Sequence, residues 1–487
     1  MSPFFILSLV SVYFVVLLRI GMITSRRADT LSFFIANRQA PWYAIAFGMI
    51  GATLSGVTFI SVPGAILKSQ FSYVQVVLGY VLGYFVIATL LLPLYYRLNL
   101  VSIYTYLEQR FGFWSYKTGA SFFLISRTMS TAFQLFVPAT ILHLGLFEAW
   151  GIPFWVTACI SVALIWAYSF KGGMKTIIWT DVFQSAFTLL AVLVTILSIK
   201  DHLGMGYRQL VQTIVDSPYT QVFFWEGHDA KNFFKQFFSG ALIAIVMTGL
   251  DQNMMQKNLG CRNLRDAQKN IFLFSFLLVL VNMMFLSLGV LLYTYAQAQG
   301  IELPKKTDEL YPLLAFHHLG PMVGIAFLLG VMAITYSGID SALTALTTSF
   351  CVDILNISSY SEAEKKKIIR IVHIGFAVLL ILVIVFFRTL DDTAIINKLL
   401  KAVGFTYGPL LGLYTFGLFT SFSVKDRGVP FVCLLSPVLC FILNEHSKTW
   451  LGGYEFGFEI LIVNGLLTFL GLLLLAERKN PLGHQSF

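Results

Sequence analysis

Charge is what this sequence has least of. Only 12% of its 487 residues are Asp, Glu, Lys or Arg, where a soluble domain carries roughly a quarter. Residues of hydrophobic type make up 57% of the chain, 46 of them Phe, and the mean hydropathy is +0.78. That balance excludes an ordinary soluble fold and points to a polytopic membrane protein. Cysteine is scarce too. The five (Cys159, Cys261, Cys351, Cys433 and Cys440) are odd in number and lie mostly within apolar runs. This excludes a disulfide framework and any zinc spacing, leaving small buried hydrophobes. Enzyme signatures are missing: no phosphate-binding Gly-Lys loop, no HExxH and no GxSxG. No catalytic or cofactor-binding residue is therefore expected. His317 and His318 form a doublet read as surface residues in a loop. The first apolar run lacks a basic leader, so it reads as a retained helix rather than a cleaved signal.

What is present is apolar runs. About 13 approach the ~20 residues that cross a bilayer. They cover 3–23, 42–67, 72–96, 118–146, 152–169, 176–199, 237–257, 270–296, 321–352, 368–388, 395–421, 428–444 and 457–476. No separate soluble domain interrupts them, so 1–487 reads as one membrane domain. The net charge of +9 then implies no nucleic-acid partner, because membrane proteins concentrate Lys and Arg on their cytoplasmic side. About 20 of the 33 basic residues fall in one alternating set of loops, which includes Arg110, Lys117, Lys175, Lys257 and the KKK run at 365–367. That set is assigned to the cytoplasm, placing the N-terminus outside and the C-terminus inside, in a plasma (inner) membrane.

Polar residues inside the apolar runs carry the functional signal, since an intramembrane acid marks an ion or proton pathway by default. The second run has Gly48, Gly51, Gly56 and Gly64 with Thr53, Ser55 and Pro63 among them. It reads as a helix that breaks near 51–56 and frees carbonyls toward a cavity or ion, or else as a small-residue packing face. In the sixth, Asp181, Gln184, Ser185 and Thr188 share one helical face. Asp181 is either an intramembrane acid or an interfacial one reaching water. In the seventh, Asp251, Gln252, Asn253 and Gln256 follow Gly249; they read either as the cytoplasmic end of a helix or, counting from Phe237, as keeping Asp251 within the inner half of the membrane. In the ninth, Ser337, Asp340, Ser341, Thr344 and Thr348 form a stripe of oxygens around an acid, suited to a hard cation. Arg127, near mid-depth in the fourth, reads as a counter-charge for Asp181 or Asp340, or as a partner for an anionic substrate.

At these residues the chain resembles the sodium:solute symporter family, the sodium–galactose, sodium–proline and sodium–sialic acid transporters. The stretches are NRQAPWY…GATLSGVTFISVPGA, GGMKTIIWTDVFQ, GLDQNMMQKNLGCRNLRDAQK, YSGIDSALTALTTSFCVDI and GFTYGPLLGLYTFGLF, in family order, from about Asn37 to Gly417. The resemblance implies an all-α, leucine-transporter-type fold: two inverted repeats of five helices each. Here 1–24 would be an extra helix, 42–200 repeat one, 237–421 repeat two, and 428–476 two C-terminal helices. It also implies sodium as the coupling ion, held by carbonyls of Gly51, Leu54 and Ile334 and by the hydroxyl of Ser337. Gly338 stands where a second hydroxyl belongs. A further cation or proton position would involve Asp181, Asp340 and Ser341. Substrate-contact candidates are Thr58, Gln75, Arg127, Gln134, Asp251 and Gln252.

The expected function is cation-coupled symport, sodium-driven, of a small polar organic solute by alternating access. Proton-coupled or uncoupled transport on the same fold is the alternative. A solute sensor is the rival class, with no signalling domain visible after the last run.

Overall fold

The computed structural model describes residues 3–26, 29–143, 147–226, 229, 231–389, 404–454, 456–457 and 459–477. It is helical nearly throughout. We label the principal helices α1 (Pro3–Thr24), α2 (Trp42–Thr53), α3 (Gly56–Gly64), α4 (Tyr73–Val86), α5 (Phe113–Leu142), α6 (Phe154–Ser169), α7 (Met174–His202), α8 (Phe233–Ala244), α9 (Gln252–Leu259), α10 (Leu264–Ala298), α11 (Pro321–Ser349), α12 (Glu362–Thr389), α13 (Tyr407–Phe419), α14 (Val429–Trp450) and α15 (Ile460–Leu474). Among the described residues, seven helices are long and apolar enough to cross a membrane, or nine if each of two bent pairs is one span. Residues 395–403 of the expected eleventh span and 144–146 of the fourth lie outside the described residues.

The bent pairs matter most. α2 and the rest of its span meet at 69°, and the helix Phe233–Gly249 meets α9 at 67°. At the first bend Leu54 and Ser55 are extended, and the Ser55 hydroxyl accepts from the Thr58 amide to start α3, a standard cap for orphan amides. At the second, a wide helical turn over Ile245–Gly249 runs into extended Asp251, whose carboxylate accepts from the Met254 amide. The breaks open the stretches 42–200 and 237–421, where the first helices of two repeats were expected.

α11 is the innermost helix. Every residue from Gly330 to Ser349 is buried, so its polar stripe faces protein on all sides. α7 packs along it, and α2 lies against both. Glycine permits that approach: a Cβ on Gly51 would lie 2.9 Å from Ser185 Oγ and 3.0 Å from Ser337 Oγ. α12 and α14, by contrast, expose large apolar side chains such as Leu382, Phe386, Phe431 and Leu435, as lipid-facing helices do.

Candidate functional site

Two polar centres lie inside the bundle. The first joins α7, α9 and α11. Asp181 on α7 accepts from Ser337 Oγ on α11 (2.5 Å) at one carboxylate oxygen and from Lys257 Nζ on α9 (2.5 Å) at the other. The Ser341 hydroxyl lies 3.4 Å from Asp181 Oδ2 and 3.3 Å from Asp340 Oδ1, bridging the acids. Tyr168 on α6 donates to Asp340 Oδ2 at 2.8 Å. Asp181 and Asp340 are fully buried and Lys257 is 1% exposed.

This corrects two sequence-based readings. Lys257 is not a cytoplasmic loop base, because α9 continues to Leu259 and carries the ammonium inward to Asp181. Arg127 is not the counter-charge of Asp181 or Asp340. Its guanidinium faces Asp251 (Nη1–Oδ2, 3.7 Å), and Tyr407 OH donates to the same Asp251 oxygen at 3.3 Å. Arg127, Asp251 and Tyr407 are the second centre, and the Arg127 Nε within it has no partner.

The backbone at the two breaks is treated differently. At the second, Tyr95 OH donates to the Gly249 carbonyl (2.8 Å) and Tyr104 OH to the Leu250 carbonyl (3.1 Å). At the first, no donor among the described residues reaches the carbonyl of Gly51 or Leu54. A helix end leaves such carbonyls open, and when buried they need a partner. The break packs against α11: a Cβ on Gly51 would lie 3.0 Å from Ser337 Oγ, and one on Gly56 2.2 Å from Thr335 Oγ1.

The remaining candidates divide. Thr58 lines a cavity of about 510 Å³ with Ser61, Ala65, Ser72, Lys235 and Gln236, at the end of the bundle bearing the 200–236 connection. Gln75 does not turn to that cavity: its amide donates to the Lys231 carbonyl (2.8 Å) and Gln236 Oε1 (3.0 Å) and accepts from the Phe224 amide. Gln252 is spent likewise, on the Ile103 amide and the Val101 carbonyl, both at 2.9 Å. For these two the amides brace neighbouring connections rather than line the cavity: Gln75 makes bonds through both ends, and Gln252 uses one donor and one acceptor on the 101–103 backbone. Gln134 Oε1 lies 3.3 Å from where a Cβ on Gly338 would stand.

Hydrogen bonds also tie together the elements around Asp353. Besides the Gln252 bonds, Tyr414 OH donates to the Ile103 carbonyl, and Asp353 accepts from Ser102, Ser349 and Tyr116. Lys117 Nζ caps the Asp353 carbonyl.

Residues 33–426 match the sodium:solute symporter family. The chain belongs to that family. Over 424 residues this sodium:solute symporter family member is 24% identical to the sodium/sialic acid symporter of Proteus mirabilis, covering 84% of this chain and 83% of that one. Over 412 residues it is 23% identical to the sodium/iodide cotransporter of Homo sapiens, covering 82% of this chain and 63% of that one. A solved Na+-coupled sialic acid symporter, substrate-bound and outward-open, superposes with a TM-score of 0.81 at 19% identity, covering 97% of this chain and 98% of the other. The fold is therefore the expected leucine-transporter type, all-α and integral to the membrane.

Sodium, the ion this family is named for, takes hard neutral oxygens. The open carbonyls of Gly51 and Leu54 are oxygens of that kind, and the Ser337 hydroxyl, which donates to Asp181, packs against Gly51. Among the described residues no group of three His, Cys, Asp or Glu gathers to hold a softer metal. Gly338 adds no side-chain oxygen. Sequence reasoning missed Lys257, Tyr168 and Tyr407. Lys257 left one signal: an intramembrane Asp181 demands a base, and Lys257 lies in the run that carries Asp251.

Proposed function

We propose that the chain is a sodium-driven symporter that imports a small polar organic solute across the plasma membrane by alternating access. One observation carries this reading: among the described residues no donor reaches the Gly51 and Leu54 carbonyls at the first break, where a Cβ on Gly51 would lie 3.0 Å from Ser337 Oγ, while the second span's carbonyls are taken by tyrosines. A sodium ion there would bind Gly51, Leu54, Ser337 and the Ile334 carbonyl, tying α2 to α11. The two repeats, 42–200 and 237–421, would rock about this tie. The cavity beside Thr58 at the 200–236 end would be the point of solute entry. The distribution of basic loops supports an orientation with the 200–236 end and the N-terminus outside and the C-terminus in the cytoplasm. Solute would then reach Thr58 first and Gln134, Arg127 and Asp251 deeper, where the spare Arg127 Nε is a donor for an oxygen-rich solute.

The test is uptake in proteoliposomes of sialic acid, iodide and a short monocarboxylate, with and without an inward sodium gradient. Sodium-driven accumulation of any of them supports the proposal. Uptake indifferent to sodium but driven by a pH gradient overturns the sodium version in favour of protons, a reading motivated by two acids, Asp181 and Asp340, sharing one base.

A further inference from the structure

The acid-rich position between α7 and α11 has the oxygens for a second cation: both carboxylates of Asp181 and Asp340 and the hydroxyls of Ser337 and Ser341. It also has an occupant. Lys257 Nζ lies 2.5 Å from Asp181 Oδ2, in a pocket where its side chain is 1% exposed and that of Asp181 not at all. A contact that short is a charge-assisted hydrogen bond, and it leaves no room for an ion on that oxygen. The charge also decides the matter. Asp181 and Asp340 carry two acids against one base, and buried charge persists only when paired. Asp340 is satisfied by neutral donors, the hydroxyls of Tyr168 and Ser341, so the ammonium is assigned to Asp181.

We infer that Lys257 is the resident cation of this position, which takes no sodium while α9 is seated. The residues therefore do not fit a second sodium ion, unlike the open carbonyls at the first break. The ammonium differs from a free ion in one respect. It is tethered to α9, the short half of the second broken span, so the charge that pins α7 and α11 travels with that span. Movement of α9 would strip Asp181 of its partner, a penalty a free ion would not impose, since an ion can stay behind.

The inference rests on the sodium reading only for the first position, and ion counting separates the two. Purified protein in nanodiscs is equilibrated with radioactive sodium, and bound ions are counted per chain. Lys257→Gln is expected to bind about one ion more than wild type, because Asp181 is then a buried charge without its counter-charge. Lys257→Gln with Asp181→Asn is expected to return to the wild-type count. If Lys257→Gln unfolds in sodium-free buffer, sodium is expected to restore its melting transition and to shift that of the double variant no more than it shifts wild type. Equal counts in wild type and Lys257→Gln, or an unfolded Lys257→Gln that sodium does not rescue, overturn the inference. A wild type that binds no sodium would sink the sodium-driven reading above, while the one-ion difference would still decide the role of Lys257.

Discussion

At the first break the chain turns on Leu54 and Ser55 among Gly51, Thr53 and Gly56, with no charge within it. At the second it turns on Leu250 and Asp251, and the short helix that follows carries Lys257. Both bends approach 70°, so the backbone geometry is shared. What differs is who satisfies the backbone. Tyr95 and Tyr104 close the second break's carbonyls, whereas those of Gly51 and Leu54 stay open. The charged break is held by protein to protein: Asp251 to Arg127 and Lys257 to Asp181. At the neutral break no donor among the described residues reaches the carbonyls of Gly51 and Leu54, which is where the proposal seats the ion. A pseudo-symmetric fold can thus assign structure to one half and ligand to the other by changing side chains alone.

The largest expected effect comes from breaking the charged half. Asp251→Ala removes the α9 cap and strands the Arg127 guanidinium, 9% exposed. Losing one member of a buried pair costs about 3–5 kcal/mol, read as a lower unfolding midpoint in detergent. Replacing both members, Arg127→Met with Asp251→Leu, should recover much of that loss. A loss below about 1 kcal/mol for Asp251→Ala would mean that the pair at 3.7 Å behaves as if solvated, and that the contrast between the halves is weaker than drawn.

Next comes the neutral half. Gly51→Ala puts a methyl 2.9 Å from Ser185 Oγ and 3.0 Å from Ser337 Oγ, forcing α2 away from α7 and α11. Overpacking of this kind costs about 1–3 kcal/mol, and sodium-dependent uptake should fall at least tenfold, because the carbonyls and the Ser337 hydroxyl separate. Uptake with an unchanged sodium half-saturation would detach Gly51 from the ion.

A smaller effect makes the second break resemble the first. Tyr104→Phe uncovers the Leu250 carbonyl and Tyr95→Phe that of Gly249. Each loss is about 0.5–1.5 kcal/mol, visible as earlier thermal unfolding that sodium does not reverse. Reversal by sodium would show that any open carbonyl at a break recruits the ion, and that the assignment to the first break is not special.

How far the sequence carried this picture follows from the same contrast. The breaks were legible because Gly51, Gly56 and Gly249 sit beside polar residues inside apolar runs, where such backbone survives only if it lines something. The face of Asp181, Gln184, Ser185 and Thr188 was legible from the helical period, and all four are buried. Ser341 does bridge Asp181 to Asp340, as their shared neighbourhood suggested. Charge pairing was not legible. Arg127 and Asp251 are 124 positions apart, and nothing local says which acid an arginine meets. Lys257 was counted with the loops because it ends an apolar run, and only the inward turn of α9 reveals its burial. Gln75 and Gln252 were equally opaque, since an amide looks the same in sequence whether it awaits a solute or braces a loop.

The finest cut through the comparison is Gly338→Ser. Gly338 lies one residue after Ser337 on the helix that faces the open break, and its position is where a second ion-binding hydroxyl is expected. Room exists: the nearest atom to a new Cβ is Gln134 Oε1 at 3.3 Å, the end of a half-buried side chain that can give by a few tenths of an ångström. Stability should therefore move by no more than about 0.5 kcal/mol. If the open carbonyls hold sodium, one more neutral oxygen beside Ser337 should lower the sodium concentration for half-maximal uptake several-fold. The number of ions bound per chain should stay the same, because the added oxygen completes the first position and leaves Lys257 seated in the second. A hydroxyl that changes neither affinity nor count would place the ion away from Ser337. A hydroxyl that raises the count would mean that Lys257 yields its place more easily than a 2.5 Å contact implies.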